Sequence, residues 1–200
     1  MNILLLGATG TFGKLFAKKL LSDTNYNLTL VSRNARDMYK DSDRQKIINA
    51  DATNMEELSE VVKNQDIIYC AISGEQLPIV AENLVNCISD KQRLIFMGAV
   101  GIYNEIPNEL DGEDNVDNNI DQVPNRNAVD IIEKSNIKYT ILRPGYLRDG
   151  LEDDYVITKK GELAKGYITT IQSIEKIVLE IMKNNDLYLK ESVSITKDMQ

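Results

Sequence analysis

The chain has 200 residues, of which 42% are hydrophobic and 27% are charged, and its formal net charge is −8. This composition is typical of a folded globular protein with one sizeable core. The negative charge disfavours a general binder of nucleic acids or anionic membranes, because phosphate contacts need clustered Lys and Arg. Histidine is absent, which removes the commonest general base and the commonest zinc ligand, so no metal site is expected.

The two cysteines, Cys70 and Cys87, lie in apolar surroundings and form no C-x-x-C pair. They predict buried, reduced thiols of an intracellular protein, since a nucleophilic cysteine normally has a partner base. The chain shows no signal-peptide pattern, and no apolar run approaches the ~20 residues of a membrane span. We therefore expect a cytoplasmic protein without a membrane partner.

Strand-like apolar segments alternate with helical ones through most of the chain. The predicted strands are Asn2–Leu6, Asn27–Ser32, Gln45–Ala50, Asp66–Ala71, Arg93–Met97 and Lys138–Leu142. The predicted helices are Lys14–Leu21, Met55–Lys63, Pro78–Ser89 and Asn127–Lys134, with Asn54 as an N-cap and Glu57 at the capping-box position. Such alternation predicts a Rossmann-type, doubly wound parallel sheet with helices on both faces.

Two later segments depart from this alternation. Asn104–Gln122 is rich in acids but lacks the residue order of a calcium loop, and it predicts a solvated loop that could act as a lid. Beyond residue 142, the predicted elements are short strands at Tyr155–Thr158 and Tyr167–Thr170, a helix capped by Ser173, and an added strand at Leu187–Leu189. We expect residues 1–200 to form one domain, in which residues 143–200 are a small elaboration on the substrate side.

The most specific motif is Gly7-Ala-Thr-Gly10-Thr-Phe-Gly13, which follows the first predicted strand and precedes the first helix. In a dinucleotide-binding turn, glycine is needed where the chain turns tightly, where backbone approaches a pyrophosphate, and where helix packs on strand. The phosphates then lie on the free N–H groups at the start of the helix. Motif and context together predict a dinucleotide site.

The ends of the second and third strands supply further candidates, because ligands of open α/β sheets bind at the carboxyl ends of strands. The second strand ends at Ser32-Arg33, with Arg36 close behind, where an NAD site has an acid. A guanidinium matches a 2′-phosphate, so Arg33 favours NADP(H) over NAD(H), unless it only covers the strand end. Asp51-Ala52 offers a carboxylate to an adenine amino group, to the next helix as a cap, or to both.

The remaining strands end in small or aromatic residues. Ala71-Ile72 begins a run of small residues after the fourth strand, which lets backbone pass close to a nicotinamide ribose. The fifth strand leads through Gly98 to Tyr103, and the sixth leads into Arg143-Pro-Gly-Tyr146. These residues complete the candidate site at the carboxyl edge of the sheet.

These motifs together resemble the atypical short-chain dehydrogenase/reductase superfamily, specifically its NmrA-like, NAD(P)H-binding branch. The resemblance covers essentially the whole chain and is carried by Gly7–Gly13, Ser32-Arg33, Asp51-Ala52, Ile95-Phe-Met-Gly98 and Tyr139-Thr-Ile-Leu-Arg-Pro-Gly145. It implies a Rossmann domain whose C-terminal part shapes a small substrate cleft beside the nicotinamide. The cofactor contacts it implies are Gly7, Thr9, Gly10, Thr11, Phe12, Arg33, Asp51, Ala71 and Pro144.

The chain lacks the catalytic residues of the wider superfamily, whose members use a Ser after the fifth strand and a Tyr-x-x-x-Lys pair. Gly98-Ala99 stands where the Ser would lie. Tyr155 and Lys159 have the right spacing in the wrong element, which we interpret as coincidence. Arg126 lies near the position of the family's Lys, but a guanidinium with a pKa above ~12 is a poor proton carrier.

Two functions remain compatible with this pattern. The first is an NADPH-dependent reductase of a small conjugated acceptor, such as a flavin, quinone or tetrapyrrole, with solvent as proton source. By resemblance, flavin and biliverdin reductases of the same branch also lack the Tyr/Lys pair. Tyr103, Arg143 and Tyr146 would then contact the acceptor. Tyr103 is the candidate catalytic residue, through a hydrogen bond to the acceptor, although packing the acidic segment against the sheet explains Tyr103 at least as well. The alternative is an NADP(H)-binding redox sensor of the NmrA type, without turnover.

Overall fold

A computed structural model describes residues 1–148, 150 and 154–198. Its strands are β1 (Asn2–Leu6), β2 (Asn27–Ser32), β3 (Gln45–Asn49), β4 (Ile67–Cys70), β5 (Arg93–Met97), β6 (Lys138–Pro144), β7 (Tyr146–Arg148), β8 (Val156–Lys159), β9 (Ile168–Thr170) and β10 (Glu191–Thr196). Eight of them form one sheet in the order β3-β2-β1-β4-β5-β6-β10-β8, while β7 pairs with β9. All neighbours in the large sheet are parallel except β10 and β8.

Helices cover both faces of this sheet. They are α1 (Thr11–Asp23), α2 (Met55–Val62), α3 (Leu77–Cys87), α4 (Asn108–Asp111), α5 (Val123–Glu133) and α6 (Ile171–Lys183). The core beneath α2, α3 and α5 includes Leu58, Leu84 and Ile132, and the core beneath α1 and α6 includes Phe16 and Ile177. The predicted doubly wound Rossmann-type sheet is therefore confirmed. No helix of the described residues is long and apolar enough to cross a membrane.

The predicted N-cap of α2 is also confirmed. The Asn54 side chain accepts hydrogen bonds from the amides of Glu56 and Glu57, as an N-cap should. The Glu57 carboxylate does not close the capping box on Asn54 but accepts the amide of Asp51, at 2.8 Å. The start of α2 is thereby tied to the end of β3, where a candidate site residue lies.

α1 and α3 begin at Thr11 and Leu77, ahead of the predicted Lys14 and Pro78, and two further helix starts also differ from the predictions. α5 begins at Val123, ahead of the predicted Asn127, because Pro124 fits the first turn, where its missing N–H is not needed. α6 is capped by Thr170, whose hydroxyl accepts the amide of Ser173, so Ser173 lies inside the first turn rather than at the cap.

The strand predicted at Leu187–Leu189 is wrong. That segment forms turns, and β10 begins after it, at Glu191. The cause is Arg93, a buried side chain whose guanidinium donates to the carbonyl oxygens of Asn185 and Leu187. The backbone bends round this cation and enters the sheet only afterwards. β10 and α6 then pack in the same core as β1, so the end of the chain is part of the main layer structure.

The acidic segment 104–122 is more ordered than a solvated loop. It contains α4 and two short 3-10 turns, at Gly112–Asp114 and Ile120–Gln122. The buried Asn115 side chain donates to the carbonyl oxygen of Ile106 at 2.8 Å and accepts its amide at 3.0 Å. The acids therefore lie on a scaffold that is hydrogen-bonded to itself.

Candidate functional site

A cleft of about 300 Å³ lies at the carboxyl ends of β1 to β4, where the strand order reverses. The predicted cofactor residues that line it are Gly7, Thr9, Gly10, Arg33, Asp51, Ala52, Ala71 and Ile72. Thr11, Phe12 and Gly13 form the first turn of α1, which follows the glycine motif directly. Pro144 ends β6 and is not among the lining residues. The structure thus gathers most of the predicted positions, from four strand ends, at one cleft.

Two glycines of the motif occupy positions that a side chain would block. Gly7 has φ +82°, and a Cβ there would lie 2.9 Å from the carbonyl oxygen of Ala71. A Cβ at Gly13 would lie 2.2 Å from the carbonyl oxygen of Gly7. Gly7 therefore lets the turn pass the end of β4, and Gly13 lets α1 pack directly on the turn.

The turn is held by the end of β2 and leaves the start of α1 open. The amides of Gly7 and Ala8 donate to the carbonyl oxygen of Val31, at 3.0 and 3.1 Å. The amide of Thr9 donates to the hydroxyl of Ser32 at 3.1 Å. Among the described residues no side chain caps α1, and its first turn contains no acid. The N–H groups and the positive dipole end of this helix are therefore available to an anion.

Arg33 is the free cation of this cleft. It is exposed, lines the cleft, and makes no ion pair or hydrogen bond with any other residue in the described ranges. Arg36 is also exposed, but its guanidinium pairs with Asp41 at 3.4 Å. Of the two arginines noted in the sequence, only Arg33 is thus poised for an external anion.

Asp51 is a carboxylate fixed within the cleft. It accepts hydrogen bonds from the amide and the hydroxyl of Thr53, at 2.9 and 2.8 Å. These bonds, together with the positive charge of Arg33, hold its pKa below the ordinary value. The alternative that Asp51 caps α2 is wrong, because Asn54 fills that position. Its remaining oxygen can accept a hydrogen bond from a ligand.

Tyr103 does not occupy the position expected for an acceptor contact. Its hydroxyl donates to the Glu133 carboxylate at 2.9 Å and lies 3.1 Å from the hydroxyl of Ser192. Glu133 is the last residue of α5, which runs antiparallel to the strands and so ends at their amino edge. Burial raises the pKa of Tyr103. The hydroxyl therefore points away from the cleft, which favours the packing role.

Arg143 is a core residue, contrary to the expected acceptor contact. Its side chain is 0% exposed and forms an ion pair with Glu105, which is 4% exposed. The guanidinium also lies 4.9 Å from the centre of the Tyr103 ring and 3.4 Å from the carbonyl oxygens of Thr158 and Ser192. It joins β6 to the acidic segment, to β8 and to β10, and no acceptor can reach it in this arrangement.

Tyr146 is the one predicted acceptor contact that is open to solvent, with 61% of its surface exposed. Its ring stacks on Tyr167, with centroids 6.3 Å apart and planes at 25°. The hydroxyl of Tyr167 donates to Asp114 at 2.6 Å, and the amide of Tyr146 donates to the carbonyl oxygen of Tyr167. A fixed aromatic surface therefore follows the end of β6. The spacing of Tyr146 and Tyr167 in the sequence follows no pattern that predicts their contact.

The residues that resembled a proton relay are engaged elsewhere. Tyr155 donates to Glu180 at 3.1 Å, whereas Lys159 pairs with Glu191 at 2.8 Å. Tyr155 and Lys159 thus make two separate contacts, and their spacing does not bring them together as a catalytic pair. Arg126 pairs with Asp130 at 2.8 Å and lies over the Tyr103 ring, and so takes no lysine-like position toward the cleft.

Comparisons with known proteins agree with this geometry. A family model described as NAD(P)H-binding matches residues 7–185. A Rossmann-fold NAD(P)-binding family protein from Shigella flexneri is 29% identical, with a TM-score of 0.82, and the alignment covers 100% of this chain and 94% of that one. A short-chain dehydrogenase/reductase from Veillonella parvula, solved in complex with NADP, is 24% identical over 98% of this chain and 94% of that one, with a TM-score of 0.85.

Curated relatives are matched over a shorter stretch. A UDP-N-acetylglucosamine 4,6-dehydratase (inverting) from Campylobacter jejuni is 32% identical over 95 residues, which is 44% of this chain. The matched stretch spans only 28% of the dehydratase. This partial likeness agrees with the nucleotide-binding fold described above. The activity of the dehydratase is not assigned to this chain.

Proposed function

This chain belongs to the NAD(P)H-binding family, and we propose that it uses NADPH to reduce a small conjugated acceptor, such as a flavin or a quinone. The observation that carries the cofactor preference is Arg33, an exposed cation directly after β2 that makes no ion pair or hydrogen bond within the described residues. A guanidinium binds a 2′-phosphate through paired hydrogen bonds, whereas the ribose hydroxyls of NADH call for an acceptor at this point. The NADP bound by the Veillonella parvula protein supports the same assignment.

The rest of the cleft fits the other parts of a dinucleotide. The uncapped start of α1 suits the pyrophosphate, and the missing side chain at Gly7 leaves room for it beside β4. Asp51 would accept an adenine amino group, with Ala52 alongside. Ala71 and Ile72 would face the nicotinamide ribose, because β4 ends there. Pro144, at the end of β6, we assign to the nicotinamide side on family resemblance.

The proposed reaction needs little acid–base catalysis by the protein. Bound NADPH supplies a hydride, and the acceptor takes its proton from water. Gly98 stands where a catalytic Ser would lie, and the Tyr103 hydroxyl is occupied by Glu133. A conjugated acceptor suits such a site, because it spreads the negative charge that hydride addition creates. The protein would contribute position and exclusion of water, which together account for much of the rate enhancement in such reactions.

The acceptor would lie against Tyr146. An aromatic ring that is 61% exposed yet fixed by stacking and by a backbone hydrogen bond offers a rigid apolar surface to a flat ligand. Stacking of two aromatic rings contributes roughly 0.5–1.5 kcal/mol beyond the area buried. Tyr146→Ala should therefore raise KM for the acceptor several-fold, while Tyr146→Phe, which keeps the ring, should not. The affinity for NADPH should be unchanged in both.

The test of turnover is an acceptor panel. NADPH oxidation would be followed by absorbance with a flavin, a quinone and an aldehyde at fixed protein concentration. Oxidation that depends on the flavin or the quinone supports the proposal. Reduction of the aldehyde alone would contradict it, because an aldehyde has no conjugated system over which the charge added by the hydride can spread.

A second function has an observation in its favour. Tyr103 and Arg143, both expected to contact an acceptor, are instead engaged inside the fold with Glu133 and Glu105. A chain that binds NADP(H) without turnover, as a redox sensor, needs no acceptor contacts. Tight NADPH binding with no acceptor-dependent oxidation across the panel would favour this sensor over the reductase.

A further inference from the structure

The peptide group between Ala8 and Thr9 is held at both ends, by the last residue of β2 and by the segment that follows β2. Its N–H, from Thr9, donates to the Ser32 hydroxyl at 3.1 Å. Its carbonyl oxygen, on Ala8, accepts the Tyr39 hydroxyl at 2.8 Å. Because a peptide group is planar, two such contacts fix the orientation of the whole group. This peptide lies inside the glycine motif, just before α1, and so helps to set where the next N–H groups point.

Tyr39 is itself anchored independently of the glycine motif. Its amide donates to the carbonyl oxygen of Ala35 at 3.0 Å, and Ala35 is 0% exposed. The neighbouring Arg36 amide donates to the Asn49 side chain at 2.9 Å, at the end of β3. The Tyr39 hydroxyl is thus positioned by a segment that is hydrogen-bonded to the end of β3. Partial burial raises the pKa of Tyr39, so the hydroxyl keeps the proton that it donates.

We propose that Tyr39 is a positioning residue for the dinucleotide, holding the glycine motif in the conformation that receives the pyrophosphate. The inference rests on the proposed cofactor site. Tyr39 is not among the residues that line the cleft, so it would act through Ala8 rather than by touching the cofactor. One segment after β2 would then carry two separate roles: Arg33 selects the 2′-phosphate, and Tyr39 supports the part of the site that NADPH and NADH share.

The test is Tyr39→Phe, which removes the hydroxyl and keeps the ring. We expect the affinities for NADPH and NADH to fall by the same factor, about threefold to tenfold, as for the loss of one neutral hydrogen bond. Both would be measured by fluorescence titration, well below the unfolding temperature and at equal folded fraction by circular dichroism. A matched control is Tyr26→Phe, since Tyr26 is also half-buried, precedes β2, and has no hydroxyl partner among the described residues.

The outcomes separate this inference from the proposed function. Unchanged affinities in Tyr39→Phe, or a loss confined to NADPH, would overturn the positioning role. An equal loss in the Tyr26→Phe control would overturn it as well, because the effect would then not depend on the contact with Ala8. If the unmodified protein binds neither dinucleotide, the proposed function itself fails. If it binds both, Arg33→Ala weakens only NADPH binding and Tyr39→Phe changes neither affinity, only the role of Tyr39 fails.

Discussion

Replacement of Arg33 by alanine is the sharpest perturbation that the cleft allows. In the unmodified protein the guanidinium is free, so a 2′-phosphate would not have to displace an internal partner. Hydrogen bonds to charged groups contribute about 1.5–3 kcal/mol, and the exposure of Arg33 places it at the low end of this range. A loss of about 1.5–2 kcal/mol corresponds to a ~10- to 30-fold weaker affinity for NADPH. The affinity for NADH should not change.

The assay is a pair of fluorescence titrations, with NADPH and with NADH, repeated at several salt concentrations. Exposed charges are screened over about 8 Å at physiological ionic strength, so the preference for NADPH should shrink as salt rises. It should also shrink below about pH 6, where a phosphate monoester gains a proton and loses charge. Arg36→Ala is the matched control, because Arg36 is exposed but already paired with Asp41.

Two results would refute this reasoning. Equal affinity of the unmodified protein for NADPH and NADH would show that Arg33 does not select the phosphate. A preference that survives in Arg33→Ala but falls in Arg36→Ala would assign the phosphate to Arg36, and its pair with Asp41 would have to open on binding.

Three further changes test other parts of the structure. Gly13→Ala should abolish measurable binding of both dinucleotides, since its Cβ would lie 2.2 Å from backbone, and ordinary binding by this variant would contradict the packing described. Glu105→Gln should lower the free energy of unfolding by about 3–5 kcal/mol in urea titrations, because it leaves the buried Arg143 charge unpaired; the double variant Glu105→Leu with Arg143→Met should recover most of the loss. A thiol reagent should modify Cys87 but not Cys70 in the folded protein, because Cys70 is fully buried with a pKa raised to about 12; peptide mapping that finds both modified would refute this.

The sheet could be predicted because its signals are local. β4 and β5 are buried along their whole length, and both faces are apolar except at Arg93, so the sequence runs Ile-Ile-Tyr-Cys in β4 and Leu-Ile-Phe-Met after Arg93 in β5. β10 was not predicted, because its sequence lacks such an apolar run. It alternates serines with Val193 and Ile195, and both of its faces are buried, the polar one against Arg143 and Thr158. A strand whose polar face is covered by distant side chains has no apolar run to mark it.

The candidate site likewise has residues that could be predicted from the sequence and residues that could not. Gly7–Gly13 and Arg33 could be predicted, because each sits at a strand end and the carboxyl edge of a parallel sheet gathers such ends. The predicted NAD(P)H-binding family is confirmed by the family match over residues 7–185. Tyr39 was missed, since its bond to Ala8 joins residues 31 positions apart and follows no spacing rule. Tyr103 was misplaced, because the direction of its hydroxyl depends on where α5 ends and β10 begins.

The position of Tyr103 also constrains the chemistry that can be proposed. The cationic groups of Arg126, Arg143 and Lys160 lie 4.7–4.9 Å from the centre of its ring, and its hydroxyl donates a hydrogen bond to Glu133. A tyrosine held in this way would have to break an internal hydrogen bond before it could protonate a substrate. The rate of turnover should therefore depend on how well an acceptor stabilises the negative charge that hydride addition creates. It should depend very little on the basicity of the acceptor's oxygen. Tyr103→Phe should then leave kcat with a flavin or quinone unchanged, and a large fall in kcat would restore Tyr103 to the reaction.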